Sequence, residues 1–139
     1  MQSRDIEAQL GEIVGARNFP EASNELVGLW KELNVGREAL VPVLRFMEEH
    51  PGLDFGQPGS LVHFLEDMDL ESFTRELVAS IERRPTPHTL WMIHRIANAV
   101  DDPREERRLM EIIARARQHP LADDEVMSSV DAFVGELEE

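Results

Sequence analysis

Apolar residues recur along nearly the whole chain at intervals of three and four, and no stretch alternates apolar with polar residues long enough to suggest a strand. This pattern predicts an all-α chain of about eight helices. The first, over residues 4–16, carries Ile6, Leu10, Ile13 and Val14. The second, over 21–33, follows Phe19-Pro20 and carries Ala22, Leu26, Leu29, Trp30 and Leu33 as its inward stripe. A third over 37–49 presents Leu40, Val43, Leu44 and Met47. Pro42 is expected to bend it, since proline lacks an N–H and crowds the preceding turn, and Pro51 to stop it. A short fourth helix, 60–67, turns Leu61, Phe64 and Leu65 inward. Asp69 can cap a fifth with Leu70, Phe73, Leu77, Val78 and Ile81 on one face.

Sharper boundaries follow. Thr86-Pro87 is a capping residue followed by a first-turn proline and opens a sixth helix to about residue 100. Asp102-Pro103 repeats the device, with Glu105 at the capping-box position of a seventh. Leu109, Ile112, Ile113 and Ala116 form that helix's stripe, and His119-Pro120 ends it. Asp123 or a neighbour caps an eighth helix whose buried line is Val126, Val130, Phe133, Val134 and Leu137. The odd-numbered helices thus start near residues 4, 37, 70 and 103, a spacing of about 33 that matches helical solenoids with two helices per unit. The expectation is four stacked αα-hairpins forming one helical-repeat domain over 1–139; the alternative is a plain eight-helix globule whose spacing is accidental. The second hairpin has the long connection, residues 50–59. Its three glycines and two prolines imply defined turns, and Leu53 and Phe55 are expected to anchor it.

Composition narrows the classes. The chain has 139 residues, 42% hydrophobic and 30% charged, which suits one globular domain and excludes a disordered or collagen-like chain. With no cysteine there is no disulfide, thiol nucleophile or thiolate zinc site. No apolar run approaches the ~20 residues a membrane span needs, and the start of the chain lacks a signal peptide's apolar stretch, so a cytoplasmic protein with no membrane partner is expected.

Charge changes the picture most. The net charge is −14, spread unevenly: residues 1–82 hold 16 acids and 6 bases, 83–117 hold 5 and 8, and 118–139 hold 7 and none. A phosphate backbone is repelled by most of such a surface, which argues against nucleic-acid binding. A cationic protein is the partner this field attracts.

Candidate chemistry is sparse. Asp54-Phe55-Gly56 spells a kinase tripeptide, but no Gly-rich loop, strand lysine or catalytic loop accompanies it. Gly56-Gln57-Pro58-Gly59 lacks the Lys-Ser/Thr of a phosphate loop. Among the five histidines, His88 and His94 fall on different helix faces, whereas His63 stands three and four residues before Glu66 and Asp67. Two ligands do not make a metal site, and no serine sits in a nucleophile turn. No metal, cofactor or catalytic residue is therefore expected, and the chain is read as a non-enzyme.

The sixth helix carries the most informative surface. Beside its apolar line of Leu90, Ile93, Ala97 and Val100 runs a second stripe of Pro87, Trp91, His94 and Asn98, aromatic and polar. Tryptophan, histidine and Arg95 are residue types that anchor interfaces, although Trp91, His94 and Asn98 also fit a core position or the support of the long loop.

Two blocks, residues 46–66 (FMEEHPGLDFGQPGSLVHFLE) and 83–98 (RRPTPHTLWMIHRIAN), resemble small bacterial HEAT-like helical proteins that serve as immunity proteins of contact-dependent and other polymorphic toxin systems. The stretch that carries the resemblance, from Phe46 to Asn98, spans about 50 residues. The resemblance implies a HEAT-like right-handed solenoid that binds and blocks a cognate toxin domain, often a basic nuclease. The alternative is an acidic helical adaptor or regulator with a non-toxin partner. If the even-numbered helices share one surface, His63, Asp67, Trp91, His94, Asn98, Asp124, Ser128 and Asp131 line it, with the eighth helix supplying acids that no base compensates.

Overall fold

A computed structural model describes residues 2–56 and 59–138, the side chains of 136–138 excepted. Eight α-helices carry the described chain: α1 (Ser3–Ile13), α2 (Phe19–Glu32), α3 (Leu40–Glu49), α4 (Ser60–Glu66), α5 (Leu70–Arg83), α6 (Pro87–Ala99), α7 (Pro103–Arg115) and α8 (Asp124–Glu138). Single 3-10 turns precede α3 at Arg37–Ala39 and follow α7 at Ala116–Gln118; the described residues contain no strand. The all-α expectation holds. The chain divides into two compact units, Met1–Glu76 and Leu77–Glu139, with the boundary inside α5.

In the first unit α1 packs on α3 and α2 on α4. Ile6 and Leu10 of α1, Leu26, Val27 and Trp30 of α2, Leu40, Val43, Leu44 and Met47 of α3, and Leu61 and Leu65 of α4 are buried. Trp30 is wholly enclosed. Its ring lies 5.4 Å from that of Phe64, and its indole N–H donates to Gln9 Oε1 at 2.8 Å, which satisfies the one polar atom of a buried tryptophan. Two expectations for α2 fail here: Leu29 and Leu33 are 41% and 52% exposed. The helix buries instead the Phe19, Ser23, Leu26, Val27 and Trp30 face, centred about 100° round from Leu29, so the two leucines fall at and beyond its edge. Leu70, expected inward on the fifth helix, is likewise exposed at the first residue of α5.

Pro42 bends no helix interior. The α-helical part starts at Leu40, so Pro42 occupies the first turn, where its missing N–H interrupts no intrahelical bond. Glu38 O, which lies before the start of α3, accepts the Ser3 hydroxyl at 3.2 Å. The stop of α2 is a Schellman motif on Asn34: with φ 56° at Asn34, Val35 N–H reaches Trp30 O and Asn34 N–H reaches Lys31 O.

The long loop is pinned by aromatic packing. Phe55, fully buried, stands edge-on to Phe19 and Phe46 at 5.8 and 6.0 Å, and those two rings stack at 5.9 Å. Leu53 is half-buried. Asp54 Oδ1 accepts Gly56 N–H at 2.9 Å, and Gly56 and Gly59 take φ of 96° and 87°. Gln57 and Pro58 lie outside the described residues.

In the second unit α6 packs on both α7 and α8, and α7 on α8. Leu90, Ile93 and Ala97 are buried as predicted, and Met92 and Ile96 are buried too, which gives α6 a wide core face. Leu109, Ile112, Ile113 and Ala116 form the α7 stripe, and Val126 and Val130 that of α8. Phe133 and Val134 are half-buried, and the Leu137 side chain lies outside those described. Thr86 and Thr89 cap α6 reciprocally: each hydroxyl accepts the other's backbone N–H at 3.1 Å. Asp102 Oδ1 caps α7 through Arg104 N–H at 2.9 Å, but Glu105 forms no capping box. It takes Arg108 in a two-pronged pair instead, at 2.6 and 3.1 Å, which holds its carboxyl below the usual range.

Candidate partner-binding surface

The surface predicted from sequence falls on both units. In the first, His63 and Asp67 are exposed at the end of α4, and His63 Nδ1 stands 3.7 Å from Glu66 Oε1. Among the described residues no three His, Asp or Glu side chains gather so as to hold a metal ion. His63, Glu66 and Asp67 thus remain a surface cluster on a short helix.

In the second unit α6 and α8 run side by side in parallel. Near their starts Pro87, Asp124, Glu125, Ser128 and Ser129 line an open hollow of about 400 Å³. Seven residues further along α6, His94 stacks on Phe133, with ring centroids 4.4 Å apart and planes 17° from parallel. This register places Phe133 against α6, whereas at about 100° per residue the predicted Asp124, Ser128 and Asp131 lie roughly 140–180° round α8 from it. Asp124 and Ser128 are exposed at the hollow, Asn98 is exposed near the end of α6, and Trp91 and His94 are half-buried. His94 is thus partly covered by Phe133 and Trp91 by its own helix: the Arg95 guanidinium carbon sits 5.1 Å from the Trp91 ring centroid, a cation–π contact.

Asp131 departs from the expectation that the eighth helix has only uncompensated acids. Arg117, in the 3-10 turn after α7, forms an ion pair with its carboxylate. Among the described residues the acids at the start of α8 have no ion-pair partner: Asp123 Oδ1 caps the helix through Val126 N–H at 2.9 Å, and Asp124 and Glu125 follow in the first turn, where the helix dipole favours anions.

No family model, curated protein or solved structure matches this chain. The α6 and α8 surface has a chemistry of its own. It presents carboxylates at an open hollow, a tryptophan and an arginine in contact on the neighbouring helix, and among the described residues no buried side-chain nitrogen or oxygen lacking a hydrogen-bond partner. No helix of the described residues is long and apolar enough to cross a membrane.

Sequence reasoning missed three features. Arg117 lies fourteen residues from Asp131, and His119 ties itself to Glu82 O at 2.7 Å across 37 residues. The free leucines of α2 are the third. Nothing in local spacing announces a pair so distant in sequence, and a leucine at helical period reads as core whichever way the neighbouring helices lie.

Proposed function

We propose that this protein is a binding protein that neutralises a cationic toxin domain, in the manner of a bacterial immunity protein. The observation that carries the reading is the charge: −14 overall, with Asp124 and Glu125, which have no ion-pair partner among the described residues, at an open hollow that Pro87 of α6 also lines. A cationic catalytic cleft would meet Asp124 and Glu125 at the hollow beside Pro87, with Trp91 one turn further along α6. Arg117 already balances Asp131, so Asp124 and Ser128 are the stronger α8 contacts.

The finer architecture we propose is a stack of αα-hairpins, HEAT-like and right-handed. It is supported within each unit by the packing of α1 on α3, of α2 on α4 and of α6 on α8, the odd-on-odd and even-on-even contacts that stacking generates.

The test first asks whether a reading frame beside this chain's own encodes a toxic domain, and uses that domain. Cells producing both are expected to survive, and the purified pair to associate with a rate that falls markedly from about 50 to 500 mM salt as the Debye length shrinks from roughly 14 to 4 Å. Asp124→Lys with Ser128→Lys places two cations at the hollow and is expected to weaken binding at least about tenfold, with an unchanged melting temperature. Full protection by that variant moves the site off α8. Absence of any neighbouring toxin, together with no protection, favours an adaptor of non-toxin type.

A further inference from the structure

The two exposed leucines of α2 carry an inference of their own. Leu29 and Leu33 are one turn apart, 41% and 52% exposed, whereas the other large apolar side chains that are exposed among the described residues, Leu70 and Leu121, stand singly at the start of α5 and after Pro120. At about 100° per residue, Leu33 lies roughly 40° round the helix from Leu29 with Ala22 between them, and Glu25 and Glu32 lie roughly 40–60° to the other side of Leu29. Both glutamates are exposed and have no ion-pair partner among the described residues. Lys31, the one base of α2, is about 160° away. Gly28, about 100° from Leu29 and beyond the glutamates, leaves open space where a Cβ would stand, so an incoming side chain can come close to the helix at that border of the strip.

We propose that this strip is a docking surface for a cationic amphipathic helix of another protein. Apolar residues of the incoming helix cover Leu29 and Leu33, and its lysines or arginines reach Glu25 and Glu32. Charge selects this occupant. A second copy brings the same glutamates and a further −14, and an anionic membrane is repelled in the same way, whereas a cationic helix is attracted and loses apolar surface on arrival. The strip lies wholly on α2 and uses no residue of the α6 and α8 surface, so it goes beyond the toxin-binding reading and stands or falls apart from it.

The probe is a synthetic leucine–lysine amphipathic helix of about five turns, titrated into the isotope-labelled full chain. Its controls are a sequence isomer with the leucines scattered round the helix and a leucine–glutamate counterpart. Expected are micromolar binding with amide shifts concentrated on residues 19–35, and a loss of at least about tenfold for both controls. Leu29→Gln with Leu33→Gln is expected to lose about tenfold while keeping the parent's melting temperature. Glu25→Gln with Glu32→Gln is expected to lose severalfold and to flatten the salt dependence, and Asp124→Lys with Ser128→Lys to leave the amide shifts centred on residues 19–35 with at most a small change in affinity. The proposal is overturned by any of four results: no binding, shifts centred elsewhere, parental affinity in the leucine variant, or unfolding of that variant, which would make the leucines core. Sedimentation of the parent as a dimer that the leucine variant dissociates also overturns it, by making the occupant a second copy.

Discussion

At the scale of single residues, backbone geometry decides more than side-chain size. Gly59 has φ 87° and ψ 167°, a region essentially reserved for glycine, and a Cβ there would stand 1.7 Å from the Phe55 carbonyl oxygen. That neighbour is backbone and cannot swing aside. Gly59→Ala is therefore expected to cost about 3 kcal/mol or more, measured by urea denaturation. Asn34 is the milder case: at φ 56°, Asn34→Gly should be nearly neutral, and Asn34→Val should cost about 1–2 kcal/mol because a branched Cβ resists the left-handed region. Equal stabilities for the glycine and valine variants would contradict this account of the α2 stop.

At the scale of elements, the helices are held at their ends by local polar contacts. Thr86→Val removes one half of the reciprocal cap of α6 and is expected to cost about 1 kcal/mol, with Thr86→Ser retaining most of it. The end of α5 is held differently. Leu121 N–H donates to His119 Nδ1 at 3.0 Å, which leaves Nε2 as the N–H that donates to Glu82 O, one of the last carbonyls of the helix. At the start of α5, the Ser72 N–H and hydroxyl both donate to Asp69 Oδ2 and hold its carboxyl below the usual aspartate range. A carboxyl whose folded pKa is depressed contributes stability fully above its unfolded pKa and loses it as pH falls through the folded value. The Asp69 share of the parent's stability should thus be lost from about pH 4 downward, and Asp69→Asn should make the fall of melting temperature in that range shallower. Identical acid limbs would show that this cap does not matter to folding.

At the scale of the molecule, charge dominates. The first unit holds 15 acids against 6 bases and the second 13 against 8, so each repels itself as well as any anionic partner. Moderate salt should screen this repulsion and raise the melting temperature, while slowing association with a cationic partner; both effects are read in one salt series. Stability that is insensitive to salt would mean the acids are too widely spaced to interact. Chelation should leave the melting temperature unchanged, since the described residues offer no metal-binding group of three.

Helix count, caps and the glycine-rich loop were legible in the sequence because each depends on residues within a few positions of one another. Thr86, Asp102, Asp69 and Asp123 act on N–H groups two or three residues ahead, and the buried stripes of α6 and α7 follow from a period of 3.6. The sign of the field was also set by composition alone. Tertiary structure decided which apolar residues are covered and which charges are balanced. Leu29 and Leu33 satisfy the same periodicity as Leu26 and Trp30, yet only the latter pair faces packed neighbours; Asp131 finds Arg117, and His119 finds Glu82, across stretches whose separation in sequence says nothing of their distance in space. Local chemistry specifies where a helix begins and ends, but burial and pairing belong to whatever element the fold brings alongside.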